Sequence, residues 1–225
     1  MKSVYRHKWS MLFEIANLGN MDKPLNPEIL ANPLHKVTKH ILYLYSMETF
    51  IYSDLNCASR LKDKSKLKFY GAFAAALSFI ITFANQNRRD SGRLQGANVL
   101  YRGLRLPEPE VLGCTFAPGS RVHLMGYTST SRRAEVAMMF ARESGIDSEE
   151  RNSLANQTVP VVFRIHFHGP RGLFQLTPGY TAYQGEGEVL VQDGLEYSVV
   201  ARESVRSANP AGTLEYYLID LRYPA

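Results

Sequence analysis

The sequence predicts an α+β fold in which a helical lobe precedes a β-rich body. Two observations predict it. Apolar residues recur at helical spacing in the first 90 residues, and after residue 97 short runs rich in Val, Tyr, Phe or Leu are bounded by Gly, Pro or Asp. A chain of 225 residues with 45% hydrophobic residues is long enough to bury its own core. We expect 1–96 to form the lobe and 97–225 the core of one cooperative domain.

The lobe is predicted to contain two helices. Leu34 to Tyr52 has apolar side chains three and four positions apart, with Pro33 at a position that suits a helix start. The segment from about Leu67 to Ala84 is predicted as a second, almost wholly buried helix. Its apolar run of 16 residues is shorter than the roughly 20 needed to cross a bilayer. The polar segment 85–96 is predicted as a loop.

The β-rich body is predicted as a mixed or antiparallel, sandwich-like arrangement of short strands. One helix, from Arg132 to Glu143, interrupts them, and the Asp193-Gly194 pair predicts a hairpin turn. The predicted strands are Asn98 to Leu104, Arg121 to Thr128, Val161 to Phe167, Glu188 to Gln192, Leu195 to Ala201 and Thr213 to Leu221.

The net charge of +5 is distributed unevenly along the chain. Residues 1–90 contain 13 Lys or Arg and 7 Asp or Glu, and all nine lysines precede residue 69. The cluster from Lys62 to Lys68 fits either an acidic partner or nucleic acid, or else a solvated helix end. The second interpretation is favoured, because no nucleic-acid motif accompanies the cluster.

The two cysteines, Cys57 and Cys114, are expected to be reduced and to behave as small buried hydrophobes. The first residues contain no apolar stretch followed by a cleavage site. We therefore expect a cytoplasmic protein, or a translocated effector that acts in a host cytosol.

Several familiar sites are excluded or weakly supported. The sequence has neither the glycine pattern of a dinucleotide-binding turn nor that of a phosphate loop. His166 and His168 share one face of a predicted strand, opposite Phe163 and Ile165. Two partly exposed strand histidines explain this pair better than zinc, because no Cys, Asp or Glu stands at a matching spacing.

The first of three informative segments is the strand that contains Arg102 and Gly103. A guanidinium in an apolar strand is costly unless it meets an anion, and its planar fork suits phosphate. A salt bridge to an internal carboxylate is the alternative explanation.

The second segment runs from Gly126 to Ser131. On a strand, Tyr127, Ser129 and Ser131 point to one side, so a ring and hydroxyls would line one surface. Alternatively, Ser131 or Thr130 caps the following helix.

The third segment is Gly185-Glu186-Gly187-Glu188. Two glutamates two residues apart at the start of a strand face the same way, and the glycines allow the backbone to approach a ligand. An exposed acidic strand edge is the alternative.

Together the three segments resemble the R-S-E class of mono(ADP-ribosyl)transferases. The order is that of the family: Arg102, then Ser129-Thr130-Ser131, then Glu186-x-Glu188. The resemblance covers about residues 97–225. The helix around Tyr45 and Ser46 also resembles the helical lobe that precedes the arginine strand in that family.

The resemblance implies NAD as co-substrate, no metal, and a set of residue roles. Glu188 would stabilise an oxocarbenium-like transition state, Ser129 would orient it, and Arg102 would hold the NAD phosphates. Gly103 would offer backbone groups to nicotinamide, with Thr130 and Ser131 in the same binding segment. Glu186 would engage an acceptor arginine, since E-x-E accompanies arginine modification in the family. The loop 177–184 would face the target through Tyr180 or Tyr183.

The predicted activity is therefore the transfer of ADP-ribose from NAD to an arginine of a target protein. An NAD glycohydrolase with the same pocket, and an inactive interaction module with a basic face, are the alternatives. We expect a monomer that binds neither nucleic acid nor membrane.

Overall fold

In a computed structural model, the described residues form one eight-stranded sheet whose two parts pack face to face, and helices cover the outer side of each part. The structure describes residues 33–47, 50–87, 98–143, 158–169, 171–176, 179–209 and 212–224. The helices are α1 (Pro33–Ser46), α2 (Phe50–Leu61), α3 (Lys64–Asn87), α4 (Glu108–Leu112) and α5 (Ala134–Glu143). The strands are β1 (Asn98–Pro107), β2 (Arg121–Leu124), β3 (Thr128–Ser131), β4 (Thr158–Phe167), β5 (Leu173–Gln175), β6 (Glu188–Val191), β7 (Leu195–Asn209) and β8 (Gly212–Arg222).

The strands follow the order β2-β7-β8-β4-β1-β3-β6-β5. All neighbours are antiparallel except β4 and β8, which are parallel. The join between β1 and β3 rests on one register position, Tyr101 opposite Ser131. The sheet therefore bends there into a five-stranded and a three-stranded part, and the predicted mixed, sandwich-like α+β class is confirmed.

The main core lies between the two parts of the sheet. Alternate residues of β4, Phe163 and Ile165 among them, pack with Leu100 of β1 and with Val189 of β6. The intervening residues Val162, Arg164 and His166 lie on the opposite face, as strand alternation predicts. Alternation thus correctly assigns the two faces of β4.

Each outer face of the sheet carries helices. The helices of the lobe pack on the three-stranded part through Leu42, Tyr45 and Leu77, which contact Phe174 and Leu190. Helix α5 covers β1 and β4 on the other side, with Ala137 and Ala141 against Val162. The lobe is thereby fixed directly behind β3 and β6.

The predicted helix from Leu34 to Tyr52 is wrong in its length. Helix α1 ends at Ser46, and a second helix, α2, begins at Phe50. The Ser46 hydroxyl donates to the carbonyl of Tyr43 and accepts the N–H of Ala182, 136 residues away. A distant loop therefore binds to the last residue of α1. The periodicity of apolar residues does not reveal this contact.

The second predicted helix is longer and more exposed than expected. Helix α3 extends through Asn87, so residues 85–87 are helical and not part of a loop, while the rest of the predicted loop lies outside the described residues. Leu77 and Ile81 are buried, but Phe69 is 83% exposed and Phe79 is exposed as well. The helix covers the sheet with one face only, so the prediction of almost complete burial is wrong.

The strand predictions differ from the structure mainly at the ends. Residues Arg121 to Thr128 are two strands, because β2 ends at Leu124 and β3 begins at Thr128. The turn at Asp193-Gly194 is present, but β6 and β7 do not pair, so it connects the two parts of the sheet and forms no hairpin. Helix α4 and strand β5 were not predicted, because each is short.

Surface expectations have mixed outcomes. Lys62, Lys64, Lys66 and Lys68 are all exposed, as expected for a solvated helix end. Cys114 is exposed and Cys57 half-buried, so the prediction of two buried cysteines is wrong; the two do not form a disulfide. Among the helices in the described ranges, none is long and apolar enough to span a bilayer.

Candidate functional site

The site begins where β1 and β3 separate. Strand β1 pairs with β4 along its whole length, but with β3 only at Tyr101 opposite Ser131. One residue further along β1, the Arg102 guanidinium reaches toward β3 and donates to the carbonyl oxygen of Ser129 at 3.4 Å. Among the described residues, Arg102 forms no ion pair with a carboxylate, which was the alternative explanation for an arginine in this strand.

Ser129 and Glu188 form the central contact of the site. Ser131 lies directly opposite Glu188 in the β3–β6 pair, and Ser129 shares the face of Ser131 one pleat away. The Ser129 hydroxyl donates to Glu188 Oε1 at 2.6 Å. Glu188 is only 5% exposed, which rules out the exposed acidic edge for this residue. A buried carboxylate is thus held by a hydroxyl on the neighbouring strand.

Glu186 lies outside the strand, on a loop that is held by Ser131 at the end of β3 and by Arg133 just before α5. The Ser131 hydroxyl donates to the carbonyl oxygen of Glu186 and accepts the N–H of Arg133 at 2.9 Å. The Arg133 guanidinium donates to the carbonyl of Gly185 at 2.8 Å. Gly185 and Gly187 have φ values of +106° and +60°, which favour glycine. Strand alternation therefore does not extend to Glu186, and the predicted common face of the two glutamates has no basis there.

Ser131 makes the capping contact that was one of the two possibilities, and a second contact that was not predicted. It supports the start of the α5 segment, as a capping hydroxyl would, and it also fixes the backbone beside Glu186. The Thr130 hydroxyl donates to the carbonyl of Val189 at 2.6 Å, which ties β3 to β6.

Gly103 is needed for helix packing. A Cβ atom at this position would lie 1.6 Å from the carbonyl oxygen of Ala137 and 2.7 Å from the nitrogen of Ala141. Helix α5 therefore approaches β1 closely because residue 103 has no side chain. This contact accounts for the glycine beside Arg102 without reference to a ligand.

The aromatic residues predicted near the site do not all lie there. Tyr127 is buried under the lobe, and its hydroxyl donates to the carbonyl of Ala74 at 2.5 Å. Its cluster includes Leu190, which lies opposite Ser129, so the ring is on the face of Ser129 as predicted but is covered by the lobe. Tyr180 is 7% exposed and packs with Phe174, so it is a core residue and the prediction that it contacts a target is wrong. Tyr183 is 43% exposed and remains available on the loop. Residues 177 and 178 lie outside the described ranges.

The lobe supports the strand that contains Ser129. The Tyr45 hydroxyl donates to the carbonyl of Tyr127 at 2.8 Å, directly before β3, and accepts from the Asn56 amide at 2.7 Å. Burial raises the pKa of Tyr45 well above its ordinary value, so the hydroxyl keeps the proton that it donates. Helices α1 and α2 therefore help to place the strand that contains Ser129.

A cavity of about 380 Å³ lies beside Arg102. Arg60 of α2, Leu104, Thr128 and Phe163 are among its lining residues. Sequence reasoning missed Arg60, because nothing in its local pattern indicates that α2 brings it to the arginine strand. Among the described residues, three arginines line this cavity, together with Glu110; Arg121 is paired with Glu196, whereas Arg60 and Arg102 suit a ligand with phosphate groups.

Acidic and histidine side chains do not gather into a metal site. Over the described ranges, no group of three or more His, Cys, Asp or Glu could hold a metal ion. His166 lies beside Asp220, at 3.7 Å from Nε2 to Oδ1, and Asp220 also pairs with Arg164 at 2.5 Å. His166 and His168 are partly or fully exposed, as expected for strand histidines.

Solved structures show the same fold. The Vis toxin, an ADP-ribosyltransferase from Vibrio splendidus, matches with a TM-score of 0.56 and 19% identity over 84% of this chain and 73% of that one. Plx2a, an ADP-ribosyltransferase toxin from Paenibacillus larvae, gives 0.53 and 14% over 84% and 86%. C3stau2 from S. aureus gives 0.53 and 17% over 81% and 85%. At these identities the likeness establishes the fold.

Sequence comparison identifies the family. No curated protein matches the chain. The sequence profile of the NAD:arginine ADP-ribosyltransferase family, however, matches residues 9–146, a segment that contains the lobe, the Arg102 strand and the Ser129 strand. Because the match extends over more than half of the chain and the fold agrees with it, this protein belongs to the NAD:arginine ADP-ribosyltransferase family.

Proposed function

We propose that this protein transfers the ADP-ribosyl group of NAD to an arginine side chain of a target protein and releases nicotinamide. The observation that carries the proposal is the 2.6 Å bond from Ser129 to the buried Glu188, at the point where Arg102 faces β3. Glu186 and Glu188 lie beyond the segment that the family profile matches, so their roles rest on this geometry and on the motif.

Glu188 acts on the donor. When the bond between nicotinamide and C1′ of the ribose breaks, its electron pair goes to the ring nitrogen, and nicotinamide leaves as a neutral molecule. Positive charge develops on the ribose, as in glycoside hydrolysis, and a carboxylate beside it lowers the barrier. Burial of Glu188 strengthens this effect because water screens the carboxylate less.

Arg102 and Arg60 bind the donor. Their guanidinium groups line one cavity of about 380 Å³, and a guanidinium pairs well with phosphate, so we assign the two phosphates of NAD to them. Gly103, Thr130 and Ser131 are also assigned to NAD binding. Thr130 and Ser131 would contribute backbone groups of β3. Nicotinamide would then lie near Ser129 and Glu188.

Glu186 acts on the acceptor. A guanidinium is protonated at neutral pH, so its nitrogen must lose a proton as it forms the new bond to C1′. Glu186 orients the guanidinium and accepts that proton, from a loop that Ser131 and Arg133 hold in place. The family name supports an arginine acceptor. So does the complex of Vis with agmatine, a small guanidine.

A reaction with agmatine tests the proposal. The protein is incubated with NAD and agmatine, and nicotinamide and the ADP-ribosyl conjugate are measured by chromatography and mass spectrometry. The proposal predicts both products in equal amounts above background hydrolysis. Nicotinamide without conjugate would contradict it in favour of an NAD glycohydrolase. If neither product forms, the proposal is contradicted and an inactive interaction module is favoured.

A further inference from the structure

The second oxygen of Glu188 has its own hydroxyl partner, from a part of the chain outside all three motifs. The Thr181 hydroxyl donates to Glu188 Oε2 at 3.0 Å, while Ser129 donates to Oε1. Thr181 is 5% exposed. Each oxygen of the buried carboxylate is therefore bound to a separate hydroxyl, one from β3 and one from the loop before Glu186.

The direction of the Thr181 hydroxyl is fixed by a further contact. Its oxygen accepts the backbone N–H of Tyr183 at 3.1 Å. A hydroxyl that accepts on one side directs its single hydrogen elsewhere, and Glu188 Oε2 is within reach of that hydrogen. The N–H of the intervening residue, Ala182, donates to Ser46 of α1 at 2.9 Å. The segment 181–183 is thus anchored to the lobe and to Glu188 at once.

We propose that Thr181 is a positioning residue that orients the Glu188 carboxylate and couples it to the loop that faces the acceptor. The terminal torsion of a glutamate is broad, so a single donor leaves the plane of the carboxylate loosely defined. Two donors on separate elements fix that plane in advance of the reaction. A misplacement of about 1 Å at a reacting centre can cost roughly 100-fold in rate.

Coupling follows from the position of Thr181 in the loop. Tyr183, which is exposed, provides the N–H that orients the Thr181 hydroxyl, and Glu186 follows three residues later. A target that contacts Tyr183 therefore acts on the same short segment that holds the donor carboxylate. This inference rests on the proposed role of Glu188.

The test compares variants that lack or keep the hydroxyl. T181V has nearly the same volume without the hydroxyl, T181A lacks it as well, and T181S keeps it. We measure kcat and KM of NAD for nicotinamide release. For T181V and T181A we expect kcat to fall at least about tenfold with KM for NAD within about twofold, and T181S to stay within about threefold of the wild type.

A matched control removes a hydroxyl elsewhere. Thr158 accepts from Arg105 at 3.1 Å at the far end of β1, so T158V is expected to leave both parameters unchanged. If T181V and T181A keep the wild-type kcat, or if T181S is as impaired as T181V, Thr181 does not act through its hydroxyl and the inference is overturned.

A double-mutant cycle separates this inference from the proposed function. If Thr181 acts through Glu188, T181V adds no further loss to E188Q. A further loss would show that Thr181 acts independently and would overturn the inference. If E188Q alone keeps wild-type nicotinamide release, the proposed function has failed instead.

Discussion

Arg102 is the residue whose charge is best placed for an anion. Its guanidinium makes one weak contact to the Ser129 carbonyl and lines a cavity with Arg60. Replacing it with Ala should raise the Kd of NAD about 30-fold, since a charge-assisted hydrogen bond is worth about 2 kcal/mol. The Kd of R102K should lie between those of the wild type and R102A, because lysine keeps the positive charge but lacks the planar, two-pronged guanidinium.

Calorimetric titration with NAD checks this prediction, and R105A is the control. Arg105 lies on the same strand but binds Thr158 with its guanidinium, so its loss should leave the Kd unchanged. A chelator should also have no effect on NAD binding. Equal weakening by R102A and R105A would mean that general charge, and not the site, attracts NAD.

At the residue scale, the sequence brought Ser129 and Glu188 together but did not predict the contacts around them; the roles of these residues stay a prediction. The motif order placed Arg102, Ser129 and Glu188 together, and the hydrogen bond between the last two is present. Thr181 and Arg60 were missed, because their proximity arises from tertiary packing of a loop and of α2. No local spacing reports such contacts.

At the element scale, the approach of α5 to β1 requires Gly103. A G103A substitution would bring Cβ into the backbone of Ala137, so the helix must shift. We expect a loss of about 2 to 3 kcal/mol in the free energy of unfolding. The melting temperature should fall by roughly 4–10 °C.

The same substitution elsewhere should have the opposite sign. Gly71 lies within α3, and a Cβ there would meet nothing within 4 Å. G71A should therefore stabilise the protein by about 0.5 to 1 kcal/mol through helix propensity. Differential scanning fluorimetry of both variants decides. An unchanged melting temperature for G103A would contradict the close packing of α5.

Predictions of helices and strands were right where the spacing of apolar residues decides the structure. They were wrong where tertiary packing decides it. The faces of β4 followed from alternation. The end of α1 did not, because Ser46 is bound by the distant Ala182. The burial of α3 was overestimated, because an apolar composition does not reveal which side of a helix is covered; Phe69 and Phe79 are exposed.

At the scale of the whole molecule, the lysine cluster and the two glutamates lie in different parts of the chain. The exposed lysines 62, 64, 66 and 68 belong to the lobe, whereas the two glutamates of the proposed mechanism belong to the β-rich core. The division at residue 96 into lobe and core stays a prediction. We therefore expect the lysines to affect the attraction of a target and not the reaction.

Neutralising the four lysines to Gln should weaken modification of a protein target and reduce its dependence on salt. Removal of exposed charges lowers long-range attraction that salt screens over about 10 Å at 0.1 M. Transfer to agmatine, which needs no docking surface, should be unchanged. The comparison is the rate of labelling of lysate proteins and of agmatine at two salt concentrations. Equal losses with both acceptors would show that the lysines serve the reaction itself.

The central claim is that Glu188 acts on NAD and Glu186 acts on the acceptor arginine. E188Q and E186Q are therefore expected to have different effects. E188Q removes the charge that faces the oxocarbenium ion, so nicotinamide release and transfer should both fall by about two to three orders of magnitude. E186Q keeps that charge but loses the proton acceptor for the guanidinium. Transfer to arginine should then collapse while slow NAD hydrolysis persists.

The decisive measurement is nicotinamide release and ADP-ribosyl transfer, followed in the same reaction for wild type, E186Q and E188Q. We expect E186Q to retain nicotinamide release without transfer and E188Q to lose both. Loss of nicotinamide release in E186Q as complete as in E188Q, or transfer unaffected by either substitution, would contradict the assigned roles of the two glutamates.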